Sequence, residues 1–442
     1  MLKKWTFFIL LCSYSLGLQA QQELGLHLMR DVWQSSRTNP ALVPDQRIFV
    51  GLPNVYFNYF HTAGTINELI VQDDGRNILN VDRLIELAED NNRLNIDLEV
   101  ETLHLGFRIG QFALSLNHAV KSINTTRYAK TLPQLFWQGN SQFIGQTISF
   151  GPDQQSIAFN EFGLGVAYEL GNLTIGGRAK LLSGIGDAST PQTDASLTTD
   201  ADIYQLELLT NYQINTSRFS PTFLFDSLDN IGIEYSFDEL FDFNDLFSSN
   251  SGFAFDLGLR YQWGEKLELA ASAIDIGQIN WTENIINYRS EGTFGYDGLE
   301  LDNILQDGQL DFEGTLDTLE DIFDFKESSD GYSTRLPAKF YLSALYQLTE
   351  RWRLGAMYYS EHFRGQSFTS VAVNATTDLG KYFTVGASYA VRNNTYANIG
   401  LQVTARMGSV QVFAMSDNVA AAFRPYDSEN VNGRIGLNLL FN

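Results

Sequence analysis

The sequence has almost no cysteine and, beyond its first residues, no long apolar run, and each absence excludes a class of structure. The single cysteine, Cys12, lies near the start of the 442-residue chain, so disulfides and thiol chemistry have no place in the rest. After Ala20 no run of about 18 apolar residues occurs, which excludes a transmembrane helix. Basic residues are also scarce. The formal net charge of −23 argues against nucleic acid as a partner.

The first feature present is a secretory signal. Lys3 and Lys4 precede an apolar run over residues 5–18, and the small residue Ala20 follows it. This layout is typical of an exported protein, so we predict that residues 1–20 are a signal peptide cleaved after Ala20.

The last stretch of the chain, Asn432–Asn442, alternates in polarity. Ile435, Leu437, Leu439 and Phe441 would lie on one face of a strand, with polar residues or glycine on the other. An aromatic residue at this position is typical of the closing strand of an outer-membrane β-barrel, which pairs with the first strand and leaves no edge exposed to lipid. Phe441 is therefore a candidate assembly signal. The final strand of a soluble antiparallel sheet would show the same alternation.

The same alternation recurs along the chain, which is rich in aromatic residues (Phe 32, Tyr 20, Trp 6) and glycine (36). Tight-turn pairs such as Gly171-Asn172 separate the alternating runs. We predict an all-β fold: a transmembrane antiparallel β-barrel of about 14 strands, with 16 possible, over residues 48–442. On one clear strand we expect Leu257 to face lipid and Asp256 to face the lumen, where arginine would be tolerated better.

Polar excursions interrupt the strands. They cover residues 185–201, 217–250, 296–333 and 417–431. Two stretches within them, Asp226–Asp245 and Asp297–Asp330, are strongly acidic. They are expected to be external loops that either bind a cation such as calcium or a partner, or are simply kept soluble by charge. Neither has the ligand order of an EF-hand.

The segment before the barrel, residues 21–47, does not alternate and is a candidate plug. Its tripeptide Asn39-Pro40-Ala41 forms a stiff turn, because Pro40 fixes its own φ and holds Asn39 extended. A wide barrel needs filling, and this polar segment is the nearest material. Alternatively, the turn merely starts the first strand.

Charged residues recur on the polar face of the predicted strands. Arginine facing lipid near the midplane costs roughly 2–4 kcal/mol, so these residues should line the lumen. The candidate lumen-lining residues are Asp97, Glu99, Arg108, Arg178, Lys180, Arg260, Arg353, Arg406 and Arg434. They are either a selectivity lining for an anionic or amphipathic solute, or a ladder of paired charges that rigidifies the barrel.

No catalytic or cofactor motif accompanies these residues. The five histidines have no metal-binding spacing, and no nucleophile elbow, P-loop or dinucleotide-binding glycine pattern occurs. We therefore expect no enzyme, no cofactor and no metal centre.

Several segments resemble a known family. TNPALVP, IFVGLP, NNRLNIDLEVETLHLGFRI, LPQLFWQGN and SAIDIGQINW look like an uncharacterised Bacteroidetes family of outer-membrane proteins with a domain of unknown function. The NPA tripeptide and the Asp275–Trp281 pattern are also similar to PorP/SprF and FadL-like barrels. The FadL resemblance implies an N-terminal plug and passage of hydrophobic compounds. The PorP/SprF resemblance implies a cell-surface partner in type IX secretion and gliding.

Two functions follow for a protein expected in the outer membrane, surrounded by lipid and inserted by the barrel-assembly machinery. The first is a passive channel or FadL-like porter for small hydrophobic or amphipathic molecules. The second is a PorP/SprF-like scaffold whose acidic loops bind a secretion or surface protein. An apolar pocket under the plug would favour the porter, and a plugged lumen lined by paired charges would favour the scaffold.

Overall fold

The computed structural model describes most of the chain. The described residues are 24–73, 76–202, 205–218, 246–296, 305–306, 309–310, 325–392 and 395–441. The acidic stretches Asp226–Asp245 and Asp297–Asp330 fall largely outside these residues, and so does the predicted signal peptide.

Antiparallel strands make up most of the described chain. They are β1 (Ile48–Gly51), β2 (Asn54–His61), β3 (Ile70–Asp73), β4 (Arg76–Leu79), β5 (Asn91–Ile109), β6 (Phe112–Ala129), β7 (Thr147–Ser149), β8 (Asp153–Leu170), β9 (Leu173–Thr199), β10 (Leu206–Ser217), β11 (Ser251–Trp263), β12 (Leu267–Trp281), β13 (Ile285–Tyr296), β14 (Leu305–Gln306), β15 (Gln309–Leu310), β16 (Lys326–Ser328), β17 (Tyr332–Arg335), β18 (Ala338–Gln347), β19 (Trp352–Phe363), β20 (Gln366–Leu379), β21 (Phe383–Arg392), β22 (Thr395–Met407), β23 (Val410–Ser416) and β24 (Asn430–Phe441). The α-helices are α1 (Leu24–Leu28), α2 (Ile66–Leu69), α3 (Val81–Leu87), α4 (Thr131–Gln138) and α5 (Val419–Phe423).

Fourteen wall strands close into a barrel, as predicted. The order around the wall is β1/β2, β5, β6, β8, β9, β11, β12, β17/β18, β19, β20, β21, β22, β23 and β24. β24 then pairs with β1 and β2, with Phe441 opposite Ile48, which closes the ring. Closure leaves no sheet edge for lipid to face, which is the physical requirement for strands in a membrane.

Two irregularities mark the first wall strands. Leu52-Pro53 separates β1 from β2, because proline removes a ladder donor. On the neighbouring β5, the register against β6 shifts by one residue between Glu101 and Leu103. The alternation of apolar residues changes phase at the same place, from Leu98 and Val100 to Leu103 and Leu105, as expected for a β-bulge.

Short turns gather at one end of the barrel, together with the start of β1 and the end of β24. Gly110, Gly171, Gly264, Gly380 and Gly408 occupy such turns with positive φ, a backbone conformation that glycine adopts without a steric cost. We call this the turn end. The longer connections lie at the opposite end, the loop end.

Side chains alternate between the two faces of the wall. Leu257 is 59% exposed and points outward, whereas Asp256 is buried and points inward. The outward face is an apolar belt that includes Leu164, Leu342 and Ile435. An apolar exterior with a polar interior is the pattern of an outer-membrane barrel. None of the helices in the described part of the chain is long and apolar enough to cross a membrane.

One predicted excursion is wrong. Residues 185–201 do not leave the sheet; β9 runs unbroken to Thr199. Its first half pairs with β11 and its second half pairs with β10, so hydrogen bonds continue past the apolar belt. β10 pairs in turn with β13, and this pair of strands extends the sheet at the loop end.

The segment before β1 lies inside the barrel. We call residues 24–47 the plug segment. Helix α1 and a 3-10 turn, Trp33–Arg37, are buried, and Trp33 packs against Phe49 of β1 with ring centroids 5.2 Å apart. The plug segment therefore contributes to the core of the molecule.

Candidate functional site

The start of the plug segment is held at the end of β23. The backbone N–H groups of Leu24 and Gly25 donate to the Asp417 carboxylate at 3.0 and 2.9 Å. A few residues later the His27 ring stacks on Tyr341, with centroids 4.7 Å apart. These contacts tie α1 to two sides of the wall.

The tripeptide Asn39-Pro40-Ala41 lies against β9, β11 and β12. The Asn39 amide donates to the carbonyls of Leu259 and Ala271 at 3.2 and 3.1 Å, and its oxygen accepts from the Ala41 N–H at 2.9 Å. The asparagine thus satisfies wall carbonyls and stiffens its own turn.

Two wall glycines admit this turn. A Cβ at Gly176 would overlap the Pro40 carbonyl group, and a Cβ at Gly258 would overlap the Asn39 side chain. The close approach therefore depends on the absence of a side chain at both positions.

Arg37 is the charged centre of the plug segment. Its guanidinium lies 2.8 Å from Glu99, 2.7 Å from Glu101 and 3.3 Å from Glu161, measured between nitrogen and oxygen. Glu101 and Glu161 are fully buried. We call Glu99, Glu101 and Glu161 the glutamate triad. Lys121, which lies 2.7 Å from Glu161, is a second cation at the triad.

A second cluster continues the network across the lumen. Lys180 lies 2.9 Å from Asp256 and also pairs with Asp275, which lies 2.9 Å from Lys339. Asp275 has φ +60°, a sparsely populated conformation for a residue with a side chain, at a bulge in β12. The bulge directs the first residue of the Asp275–Trp281 pattern into the charge network.

A third cluster lies at the turn end. Arg30 of the plug segment pairs with Glu268 at 2.7 Å, and Arg260 pairs with the same carboxylate at 2.8 Å. Asp31 pairs with Arg353 at 3.1 Å. Charged residues of the plug segment thus meet wall residues of opposite charge at two levels.

The charged residues expected to line the lumen have the following positions. Asp97, Glu99 and Lys180 border a small cavity in the middle of the lumen, and Arg260, Arg353 and Arg406 border a larger cavity at the turn end. Arg178 and Arg108 donate hydrogen bonds to Ser36 and Val43 of the plug segment. Arg434 pairs with Glu99. Most are engaged in ion pairs or bonds to the plug segment.

Several residues of the network were not among the lumen-lining residues predicted from the sequence. They are Arg37, Glu101, Lys121, Glu161, Asp275 and Lys339. The sequence did mark those on the wall strands, because they are charged residues on the polar face of a strand, and a charge that faces a closed lumen must meet a partner of opposite charge. Arg37 carried no signal, since it lies in a segment without periodicity.

The lumen that the described residues enclose contains several cavities, three of which lie at the loop end, in the middle and at the turn end. The vestibule at the loop end has a volume of about 1460 Å³ and is bordered by Phe60, Tyr128, Phe150 and Phe368 with polar residues between them. The central cavity is about 90 Å³, and the mouth at the turn end is about 450 Å³. The plug segment and its ion pairs separate the mouth from the other two.

Metal ligation has no support in the described residues, where no group of three or more His, Cys, Asp or Glu side chains is placed to hold an ion. The arrangement is a barrel interior filled by the plug segment and paired charges, with a wide cavity at the loop end.

Comparison with protein families assigns the chain. The family described as "Family of unknown function (DUF5723)" matches residues 40–417. This protein belongs to the DUF5723 family. The matched region begins at Pro40 and covers the barrel wall as far as Asp417. No curated protein matches the sequence.

Three solved structures are similar to this chain over most of its length. A FadL homologue from Pseudomonas aeruginosa is 12% identical, with 93% of this chain and 95% of that chain covered and a TM-score of 0.45. The P. putida toluene transporter TodX is 10% identical, with 92% and 93% covered and a TM-score of 0.41. The TodX deltaS2S3 mutant, a monoaromatic hydrocarbon channel, is 10% identical, with 97% and 96% covered and a TM-score of 0.45.

Proposed function

We propose that this DUF5723 protein is a passive outer-membrane porter for small amphipathic molecules, closed by its own plug segment. The vestibule is the observation that carries the proposal. A cavity of about 1460 Å³ with four aromatic rings among polar groups can hold an amphipathic molecule and orient it. A barrel with a merely structural interior has no need of such an entrance.

Passage requires the plug segment to move. Below the vestibule lies the central cavity of about 90 Å³, which is too small for a solute that fills the vestibule. The barrier consists of the Arg37 ion pairs and the Asn39-Pro40-Ala41 turn against the wall. The described conformation is therefore the closed state of the porter.

A scaffold for a secretion or surface protein is the second candidate, and one observation favours it. The space below the plug segment is lined by Arg30, Arg260, Glu268 and Arg353 and is not apolar. Paired charges fill the lumen and rigidify the wall, as expected for a protein that binds its partner through its loops. In this alternative the partner is a PorP/SprF-like surface system.

Reconstitution in planar bilayers and liposomes separates the two candidates. Deleting residues 22–44 removes all but the last three residues of the plug segment and leaves the wall, so we expect a barrel that still folds and conducts ions far better than the full chain. Liposomes containing the full chain should take up small amphipathic molecules faster than empty liposomes. A correctly folded deletion with unchanged conductance and no solute uptake would contradict the porter and leave the scaffold.

A further inference from the structure

The glutamate triad already holds a cation of defined chemistry. The Arg37 guanidinium contacts all three carboxylates within 3.3 Å, and Glu101 and Glu161 have no exposure to solvent. A planar guanidinium presents several N–H donors in a fixed fork, which matches converging carboxylates. The triad is thus a built binding site that the chain's own arginine occupies.

Open space adjoins this site on the side of the vestibule. The central cavity is bordered by Arg37 and Glu99 at one end and by Asn95 and Phe363 further along the wall strands toward the loop end. Asp97 also borders it, and its buried Oδ1 has no hydrogen-bond partner within the described structure. A cationic group entering from the vestibule would find an unpaired carboxylate oxygen before it reached the triad.

The vestibule itself is acidic. Its only cation among the described lining residues is Arg127, and its acids are Glu89, Asp90, Asp153, Asp194 and Glu429. Burial, with Glu68 and Glu89 nearby, raises the pKa of Glu429 above its usual value. A cleft lined by one sign of charge concentrates ions of the opposite sign and speeds their entry.

The aromatic rings of the entrance suit the same class of solute. Phe368 borders the vestibule, and the Arg93 guanidinium already lies over its ring at 4.2 Å from the centroid. Cations bind favourably over such ring faces. The entrance therefore combines rings for an apolar body with negative charge for a cationic head.

We propose that the triad is the recognition site for cationic amphipathic solutes carrying a guanidinium or primary ammonium group, and that Arg37 is its internal stand-in. This inference rests on the proposed porter function. A solute entering from the vestibule replaces Arg37 at Glu99, Glu101 and Glu161, and the plug segment is released. The lumen then admits the solute that opened it.

Exchange of one cation for another explains the selectivity. Withdrawal of Arg37 alone would leave the fully buried Glu101 without its arginine partner, which is strongly unfavourable, whereas Glu99 and Glu161 would keep Arg434 and Lys121. A cationic solute supplies the missing charge at the moment when Arg37 leaves. A neutral solute of the same shape does not, so it cannot open the lumen.

Butylguanidinium and its neutral isostere butylurea test this directly on the full chain in planar bilayers. We expect butylguanidinium, added at millimolar concentration on the loop side, to raise the conductance severalfold, while butylurea leaves it unchanged. Equal responses to both compounds, or no response to either, would overturn the proposal. Arg289→Ala removes an exposed arginine outside the lumen and should respond as the unmodified protein does.

Arg37→Ala should reverse the sign of the response. This variant should conduct without any added solute, and butylguanidinium should lower its conductance by filling the vacated triad. Its thermal unfolding midpoint should rise with butylguanidinium and not with butylurea. If Arg37→Ala does not fold, Arg37→Lys keeps the charge but loses the fork, and should open at lower butylguanidinium concentrations. Insensitivity of the folded variant to butylguanidinium would refute the site.

Failure of this inference is distinguishable from failure of the porter. If the deletion of residues 22–44 passes butylurea but butylguanidinium never affects the full chain, the porter stands and the triad is not a solute site. If butylguanidinium stabilises Arg37→Ala but no solute crosses even the variant that lacks residues 22–44, the triad is a ligand site and the porter function is refuted.

Discussion

At the scale of single residues, the interior is organised by buried ion pairs. Asp256 illustrates the rule, since it lies 2.9 Å from Lys180 and 3.4 Å from Arg178, and its Oδ1 accepts the Asp275 N–H at 2.8 Å. Removing one partner from such a network leaves the others charged and buried. That loss costs about 3–5 kcal/mol, although replacing the whole network by apolar residues need not destabilise a protein.

Arginine substitutions at two neighbouring positions of β11 test both faces of the wall. Leu257→Arg puts a cation among lipid tails, at a cost of roughly 2–4 kcal/mol near the midplane. Alternation alone predicted a milder effect for Asp256→Arg. The contacts reverse that expectation, because a third cation would join Lys180 and Arg178 while their shared carboxylate disappears. We expect Asp256→Arg to destabilise the barrel at least as much as Leu257→Arg.

The measurement for this pair is the free energy of unfolding in urea, with the fraction of heat-resistant barrel on unboiled gels as a second readout. Glu265→Arg in the exposed turn is the matched acidic-to-basic control and should remain close to the unmodified protein. Normal stability of Asp256→Arg would show that the buried ion pairs of β11 do not stabilise the fold.

At the scale of elements, the plug segment and the wall are complementary in shape as well as charge. The Asn39-Pro40-Ala41 turn approaches the backbone of β9 and β11 where Gly176 and Gly258 have no side chain. The Asn39 amide then bonds to wall carbonyls. The fit depends on contacts too close to tolerate an added methyl group.

Gly176→Ala and Gly177→Ala form a matched test of this contact. The methyl group added by Gly176→Ala would overlap the Pro40 carbonyl group and push the turn away from the wall, whereas a methyl group at position 177 would lie 3.9 Å from its nearest neighbour, the Asp256 carbonyl oxygen. We expect Gly176→Ala to fold but to show a raised conductance in planar bilayers. Gly177→Ala should behave as the unmodified protein does. Equal conductance of the two variants would mean that the turn does not seal the lumen.

At the scale of the whole molecule, the two ends of the barrel differ in kind. The turn end has tight glycine turns and both termini of the wall, and the loop end has the vestibule, the longer connections and the paired strands β10 and β13. Short turns belong to the periplasmic side of outer-membrane barrels. The vestibule would then face the exterior.

Cysteine labelling of intact cells tests this orientation. Ser249→Cys and Ser328→Cys lie at the loop end and are exposed, and Glu265→Cys lies in an exposed turn at the opposite end. With the only native cysteine inside the predicted signal peptide, a membrane-impermeant maleimide should label the first two variants and not the third. All three should react after the cells are lysed. Labelling of Glu265→Cys alone in intact cells would invert the orientation.

The sequence alone determined the barrel and its faces. Leu257 and Asp256 differ in polarity because lipid and lumen lie on opposite sides of the same strand, so each membrane-level strand carries the alternation. The count of about fourteen strands and the closing role of Asn432–Asn442 follow from the same constraint. Both are confirmed by the closed wall.

Only the tertiary structure decided the contacts and the extent of the strands. Beyond the apolar belt no lipid imposes alternation, so the sequence predicts a polar excursion over residues 185–201. Hydrogen bonds to β8 and β10 keep these residues in the sheet. Arg37 meets Glu161 across 124 positions of sequence. Local patterning cannot encode such a pair, because it exists only when the plug segment enters a closed ring and each buried charge must find a partner.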